Sequence, residues 1–166
     1  MSTGDEHTRR QLVGMLRSAY SGELAAALAY RAHWRALPDA AERAAIAKIE
    51  AEEWTHRADV GILLKRLGAK PLELREIQMT VIGCSVGITC HLGNWILPMY
   101  FAGRLEHSNI KEYEVGAEHA RRLGLPDYER ALLAMAAVER EHEEFFQRTV
   151  ARHPWLPALK RLFVWG

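Results

Sequence analysis

The chain contains only two cysteines, Cys84 and Cys90, among its 166 residues. They lie in an apolar stretch and lack the Cys-x-x-Cys spacing, so the sequence predicts neither a disulfide framework nor a thiolate metal site. The first ten residues are polar and do not resemble the apolar centre of a signal peptide. We therefore expect a cytoplasmic protein, since a reducing compartment suits unpaired thiols.

An excess of charge of one sign is also absent, because 22 basic side chains oppose 21 acidic ones. This balance argues against the strong field that is typical of proteins that bind nucleic acid or an acidic substrate. The length suits one domain with a sizeable core, and no change in composition marks a linker. We expect a single domain over residues 1–166.

A third absence is local, because the 27 residues Ile77–Gly103 contain no Asp, Glu, Lys or Arg. By length alone this stretch would cross a bilayer. It is only weakly apolar, however, because it is interrupted by Gln78, Thr80, Gly83, Ser85, Gly87, Thr89, His91, Gly93, Asn94 and Pro98. A membrane span is therefore the lesser alternative.

Apolar residues recur every three or four positions over four long segments, the spacing that places them on one face of an α-helix. The segments cover about residues 8–37, 40–67, 99–123 and 128–149, and prolines at 38, 71 and 126 separate them. The pattern predicts an all-α fold.

Each of these four apolar stripes includes a glutamate, and two of them also include a histidine three residues later. The six residues are Glu23, Glu53, His56, Glu106, Glu139 and His142. A carboxylate taken out of water without a partner costs several kcal/mol, so four at core positions predict a shared cation.

Other acids and histidines fall outside the stripes. We expect solvated positions for Glu50, Glu52, Glu141, Glu143 and Glu144, and surface positions for His7, His33, His119 and His153. His91 and His107 have no partner at the required helical position, so we do not assign them to the site.

The two Glu-x-x-His tetrads gain weight from a repeat in their spacing. With 17 Glu and 8 His, chance alone should produce about one such tetrad. The two tetrads are 86 residues apart, while Glu23 and Glu106 are 83 apart, and a tyrosine, Tyr30 or Tyr113, follows each of these two glutamates by seven residues. We infer two duplicated helical hairpins that pack face to face as a four-helix bundle.

One Glu from each of two helices and a Glu-x-x-His from each of the other two is the ligand set of ferritin-like di-iron and di-manganese proteins. Oxygen donors with one imidazole per metal suit iron or manganese, and four carboxylates nearly neutralise two divalent cations. We predict that the six residues hold two iron ions, with manganese as the alternative. A metal-free hydrogen-bond network competes with this interpretation, but its carboxylates would repel one another or take up protons.

Tyr30 and Tyr113 lie two helical turns, roughly 10 Å, from the glutamates of their own helices, which is too far for ligation of the same metal. Core packing is their expected role. Contact with the metal ligands, or electron transfer, is the alternative.

With these residues in place, the chain resembles the demethoxyubiquinone hydroxylase family, a branch of the ferritin-like superfamily. The matching motifs are Ser21-Gly22-Glu23 with Tyr30, Glu53-x-x-His56, Glu106 with Ser108 and Tyr113, and Glu139-x-x-His142. The order of elements is also similar over nearly the whole chain: two helices, a hydrophobic helix near residues 72–93, two more long helices and a short apolar C-terminal helix. His107 and Glu112 depart from the family pattern without affecting the ligands.

The resemblance implies a non-haem di-iron monooxygenase that hydroxylates a polyprenylated quinone ring in ubiquinone biosynthesis, using dioxygen and an external electron donor. The six glutamates and histidines carry over as iron ligands. A ferroxidase, peroxidase or iron-handling protein with the same site is the first alternative, and a membrane-associated protein without enzymatic activity is the second. We expect a homo-oligomer and no nucleic-acid partner.

The uncharged stretch has a place in this fold. In a ferritin-like bundle the second and third bundle helices run in the same direction, and Ile77–Asn94 can form a helix in the crossover between them. Its apolar surface, like that of the C-terminal helix, is expected to pack on the bundle, meet another subunit or make a peripheral contact with the inner face of the membrane. A lipophilic substrate could enter along it.

Overall fold

Six α-helices make up most of the chain that the computed structural model describes, residues 3–92 and 94–165. In chain order they are α1 (Thr3–Ala36), α2 (Ala40–Arg66), α3 (Glu73–Leu92), α4 (Ile96–Arg122), α5 (Pro126–Val150) and α6 (Leu156–Leu162). No β-strand occurs among these residues, so the all-α prediction is confirmed. Gly93, inside the predicted crossover, lies outside the described residues.

Local sequence signals set several helix ends. The side chain of Asp39 accepts a hydrogen bond from the backbone N–H of Glu42 at 2.8 Å and so caps the start of α2. Gly68 and Gly124 follow the ends of α2 and α4 with φ of 69° and 67°, a conformation that glycine adopts without steric cost. α1 begins earlier than expected, at Thr3, because acidic residues in its first turn suit the positive end of the helix dipole.

The first hairpin consists of α1 and α2. The guanidinium of Arg57 donates to the carbonyl of Tyr20, while nearer the hairpin turn Arg31 pairs with Glu50 at 2.7 Å. The two helices therefore run antiparallel.

The second hairpin consists of α4 and α5. His107 lies 3.0 Å from Glu143. Glu114, which comes later in α4, pairs with Arg140, which comes earlier in α5, so these helices are also antiparallel. α1 packs against α4 and α2 against α5, which joins the hairpins face to face. This arrangement confirms the predicted four-helix bundle of two hairpins.

α3 is the predicted crossover helix and packs on α1. Arg75 at its start donates to Ser18 at 2.9 Å, and Gly87 near its end lies against Ala32, so the two helices are parallel. α3 therefore returns the chain from the end of α2 to the start of α4, and α2 and α4 run in the same direction.

The buried apolar residues form two clusters at different levels of the bundle. One includes Leu12, Leu16, Ala19, Val60, Leu64, Tyr113, Leu132 and Ala136. The other includes Ala26, Tyr30, Ile46, Ile49, Ile96, Met99, Phe146 and Val150. The core glutamates and histidines lie between these clusters along each helix, so apolar layers close the space above and below them.

The C-terminal segment covers one end of the bundle through Trp165. Its ring contacts Tyr100 edge to face at 5.1 Å, and its Nε1 donates to Glu143 at 2.8 Å. The indole of Trp165 packs directly on Gly103. A Cβ at position 103 would lie 2.3 Å from the indole, so this position requires glycine.

None of the helices in the described residues has an apolar stretch long enough to cross a membrane. In α3, only Gly83 and Gly87 are buried. The exposed apolar side chains of α3 are Leu74, Ile77, Val81, Ile82, Val86, Ile88 and Leu92.

Candidate metal centre

Four helices bring the predicted ligands to one place in the bundle. α1 contributes Glu23, α2 contributes Glu53 and His56, α4 contributes Glu106, and α5 contributes Glu139 and His142. Each of these side chains is buried, and none is more than 5% exposed. Their burial follows from the three- and four-residue spacing that also buries the apolar members of each stripe.

The six residues form two overlapping groups. One consists of Glu23, Glu53, His56 and Glu139, and the other consists of Glu53, Glu106, Glu139 and His142. Within each group, one ligand atom from every residue lies within 4.8 Å of the others. Glu53 and Glu139 belong to both groups, and each group could hold a metal ion.

Several ligand atoms in this cluster have no hydrogen-bond partner although they are shielded from solvent. They are Glu23 Oε2, both carboxylate oxygens of Glu53 and Glu139, and the Nδ1 atoms of His56 and His142. His56 Nδ1 approaches Glu139 Oε1 to 2.9 Å, but without the alignment of a hydrogen bond. Buried polar atoms of this kind are costly, and cations bound by the two ligand groups would satisfy them.

Burial and mutual repulsion keep protons on part of the cluster when no metal is bound. Burial raises the pKa of Glu53 well above its ordinary value, and the neighbouring carboxylates of Glu23, Glu139 and Glu106 raise it further. Burial and the charge of Glu139 likewise raise the pKa of Glu106. Burial also opposes ionisation of Glu139, but the imidazoles of His142 and His56 hold its pKa below the usual range.

The two tyrosines connect the hairpins at this level. Tyr30 donates to Glu106 and Tyr113 donates to Glu23, and both rings are buried. Each tyrosine is two turns from the glutamate of its own helix, as expected. The antiparallel packing of α1 on α4, however, brings each tyrosine beside the glutamate of the opposite helix. The tyrosines therefore pack in the core and also orient the two carboxylates that the groups do not share.

Glu52 was expected on a solvated face with helical charge pairing, and its partly exposed side chain does pair with Lys48 four residues earlier, but it also contacts the buried His142, which was not expected. Its Oε2 lies 2.9 Å from His142 Nε2, and its other oxygen lies 3.0 Å from Lys48. A carboxylate on the outer nitrogen of an imidazole fixes the ring and its tautomer and leaves Nδ1 to face the cluster. The stripe on α2 could not reveal this contact, because Glu52 reaches across to α5.

Glu50 and Glu143 were also expected to be solvated, and each is 9% exposed. Glu50 accepts hydrogen bonds from Arg31 and Trp34, both at 2.7 Å. Glu143 accepts from Trp165 at 2.8 Å. Neighbouring helices and the C-terminal segment supply these donors, so the periodicity of one helix gave no sign of them.

An apolar cleft of about 760 Å³ lies between α1, α3 and α4. Small residues on α1 make room for it: Gly22, Ala25, Ala26 and Ala29. Apolar side chains of α3 and α4 form the other walls, including Met79, Ile82, Val86, Leu97, Phe101 and Leu105. A cavity of this size and composition suits a small lipophilic molecule.

Two residues that line the cleft contact the carboxylate cluster at Glu106. Tyr30 and Asn109 line the cleft, and each donates a hydrogen bond to a different oxygen of Glu106, the bond from Asn109 being 3.1 Å long. Asn109 lies three residues after Glu106 on α4, and its contact with this carboxylate was not predicted from the sequence.

His33 also lines the cleft and corrects another prediction. It was expected at the surface but is only 3% exposed. Burial lowers the pKa of His33 to about 4, so this imidazole is neutral at physiological pH.

The fold and the site define the class of this protein: it is an α-helical bundle with a buried cluster of glutamates and histidines that could hold metal. No family model, curated protein or solved structure matches the chain.

Proposed function

We propose that the chain is a non-haem di-iron monooxygenase that hydroxylates a lipophilic, quinone-type aromatic substrate, as its resemblance to the demethoxyubiquinone hydroxylases implies. One observation carries the proposal: two buried ligand groups share Glu53 and Glu139, and an apolar cleft adjoins them. The shared carboxylates favour two metals over one, and the cleft favours an organic substrate.

The donor set fits the proposed metal. Four carboxylates balance the charge of two divalent cations, and one imidazole for each position matches the preference of iron or manganese for oxygen and nitrogen donors. When bound, the iron pair supplies the activation of dioxygen, which amino-acid side chains cannot perform.

Other residues of the chain would orient the metal ligands and keep water out of the site. Tyr30 and Tyr113 orient the unshared carboxylates of Glu106 and Glu23, and Glu52 orients His142. The two apolar clusters exclude water along the bundle axis. The cleft would place a substrate ring beside Tyr30 and Asn109, the two lining residues that contact Glu106.

This arrangement also suggests the partners of the protein. The proposed reaction requires dioxygen, an external electron donor and a lipophilic substrate of the kind found in ubiquinone biosynthesis. Ile82 and Val86 of the exposed apolar face of α3 also line the cleft. This face would meet a second subunit or, from the cytoplasmic side, the membrane surface that holds such a substrate.

The test is anaerobic loading with Fe(II) followed by exposure to oxygen, with and without a short-chain demethoxyquinone. Iron is counted by elemental analysis and its state is followed by Mössbauer spectroscopy. We expect about two irons per chain and oxygen consumption that depends on the quinone. Substrate-independent turnover would favour a ferroxidase or peroxidase, and one iron or none would overturn the metal centre.

A matched pair of variants separates loss of the site from loss of the fold. Glu106→Ala removes a ligand and should weaken iron binding by more than the roughly 10- to 100-fold effect of disturbing a residue that only orients a ligand. Glu141→Ala removes an exposed glutamate from within the second tetrad and should retain both iron and turnover. Full activity in an iron-free Glu106→Ala variant would contradict the proposal.

A further inference from the structure

A short strap, residues 163–165, follows α6 and contacts α4. Tyr100 donates a hydrogen bond to the first carbonyl of the strap, and Nε of Arg104 donates to the second carbonyl at 2.8 Å. Of the three side chains in the strap, only that of Trp165 is buried, being 7% exposed. Two backbone carbonyls and one side chain therefore tie the strap to the bundle.

The indole of Trp165 fills a hollow on the bundle. Gly103 forms the floor of this hollow, Tyr100 packs on the indole edge to face at 5.1 Å, and Glu143 accepts from its Nε1 at 2.8 Å. Phe146 lies at the same place, since a Cβ on Gly103 would be 2.7 Å from its Cβ. A single aromatic side chain thus anchors the strap.

The strap also contacts residues that line the apolar cleft. Arg104, which holds the carbonyl of Val164, lines the cleft, and so does Phe101, whose ring lies 5.2 Å from that of Phe163. Both lining residues belong to α4. Trp165 itself is not among the residues that line the cleft. A shift of the strap therefore acts on the cleft through α4.

Opposing free energies of similar size allow the strap to leave the bundle. Burial of one indole and three hydrogen bonds favour the docked strap. The conformational entropy lost by the backbone and side chains of three residues opposes docking. Because α6 ends at Leu162, release of the strap requires no change in any helix.

We propose that the strap is a latch for the cleft: it exchanges between a docked and a released position, and an apolar ligand in the cleft favours the docked one. When the strap is docked, its contacts with Tyr100, Gly103 and Arg104 hold the α4 wall in place around the ligand. When it is released, Phe101 and Arg104 lose these contacts and the wall can move. The latch requires neither metal nor a particular reaction, so it goes beyond the proposed function.

Fluorine NMR of the metal-free full-length protein tests the exchange directly. Labelling with 5-fluorotryptophan gives each of the five tryptophans a resonance, and Trp165→Phe identifies that of Trp165. The probe is 2-methylnaphthalene, an apolar molecule for the cleft. We expect added probe to shift the Trp165 resonance and to reduce its solvent isotope shift between H₂O and D₂O, because the docked fraction grows. Trp34 and Trp54, which do not line the cleft, should be unaffected.

Calorimetry measures the same coupling from the side of the ligand, because coupling between two sites is reciprocal. Trp165→Ala removes the anchor, and we expect its affinity for 2-methylnaphthalene to fall about fivefold, the lower end of the range for linked sites. Val164→Ala changes an exposed side chain of the same strap and keeps the carbonyl, so it should bind like the wild type. Circular dichroism checks that each variant is folded.

Three results would overturn the latch: a Trp165 resonance that does not respond to saturating probe, wild-type affinity in Trp165→Ala, or no binding of the probe to the wild type. A purely structural role for Trp165 would weaken binding in Trp165→Ala but would leave the wild-type resonance unmoved. If Trp165→Ala does not fold, the titration of the wild type decides alone.

Discussion

At the scale of the residue, Glu53 shows how this protein combines stability with function. It has no exposed surface, neither of its oxygens has a hydrogen-bond partner, and it belongs to both ligand groups. A residue placed only for stability would be paired or apolar, because an unpaired buried carboxyl destabilises the fold. Glu53 is therefore best explained as a ligand whose cost is offset when metal binds.

Glu53→Gln should abolish binding at both metal positions while making the metal-free protein more stable. The amide keeps the shape of the side chain but cannot ionise, so it removes the cost of holding a proton on a buried carboxyl at a pH where the unfolded chain has released it. We expect a gain of about 1–2 kcal/mol in the free energy of unfolding near pH 7.5. Chemical denaturation of metal-free protein measures the gain, and elemental analysis measures the metal.

A change in stability of the opposite sign would contradict this role of Glu53. If Glu53→Gln destabilised the metal-free protein by a similar amount, Glu53 would belong to a structural hydrogen-bond network instead. Glu141→Gln, at an exposed position, serves as the control and should change stability by less than about 0.5 kcal/mol.

At the scale of the element, the packing of α3 on α1 depends on glycine. A Cβ on Gly83 would lie 2.6 Å from the carbonyl oxygen of Ala25 and 3.0 Å from Leu28 Cβ, and one on Gly87 would lie 2.7 Å from Ala32 Cβ. These glycines hold the middle of α3 directly against α1. Beside this contact, the small residues of α1 leave the space that becomes the cleft.

Gly83→Ala should destabilise the protein and enlarge or disrupt the cleft, because the clash is with backbone and only a shift of α3 relieves it. We expect a loss of about 1–3 kcal/mol, the usual cost of overpacking. Thermal unfolding measures the loss, and weaker binding of 2-methylnaphthalene would report the change in the cleft.

The matched control is Gly14→Ala in α1, where a Cβ would meet nothing within 4 Å. There the higher helix propensity of alanine should stabilise the protein by about 0.5–1 kcal/mol. Equal effects of the two substitutions would mean that α3 does not pack on α1 through Gly83.

At the scale of the whole molecule, the buried cluster of glutamates and histidines couples stability to pH. In the metal-free protein, burial raises the folded-state pKa values of Glu53 and Glu106 above the ordinary 4.5, and the pKa of His56 is also raised, by neighbouring carboxylates against the effect of burial. Groups with a raised folded pKa hold protons that the unfolded chain has released, so their contribution to stability is lost as pH rises. The lowered pKa of His33 acts in the opposite direction but only below 6.5.

Metal-free protein should therefore become less stable between pH 6.5 and 8.5, by up to about 1.4 kcal/mol per pH unit for each carboxyl that still holds its proton. Metal-bound protein should lose little or no stability over this range, since its ligands, like the carboxyls of the unfolded chain, have already released their protons. The midpoint of thermal unfolding with Fe(II) under anaerobic conditions, minus that with chelator, should grow over this range. A difference that shrinks or stays constant would contradict protonated carboxyls in the metal-free centre.

The sequence alone predicted much of this structure. Three- and four-residue spacing located the four bundle helices, and the 83- and 86-residue offsets identified two hairpins whose glutamates and histidines should meet. These predictions succeeded because helical periodicity and the cost of burying a carboxyl are properties of each segment by itself.

Contacts between helices were decided only by the tertiary structure. The spacing of α2 could not show that Glu52 reaches His142, and the spacing of α1 could not show that Tyr30 holds Glu106. The cleft beside Asn109 likewise exists only because α3 lies against α1 at two glycines. Periodicity along one chain segment fixes which face of a helix is buried, whereas the neighbour on that face depends on how helices distant in sequence pack.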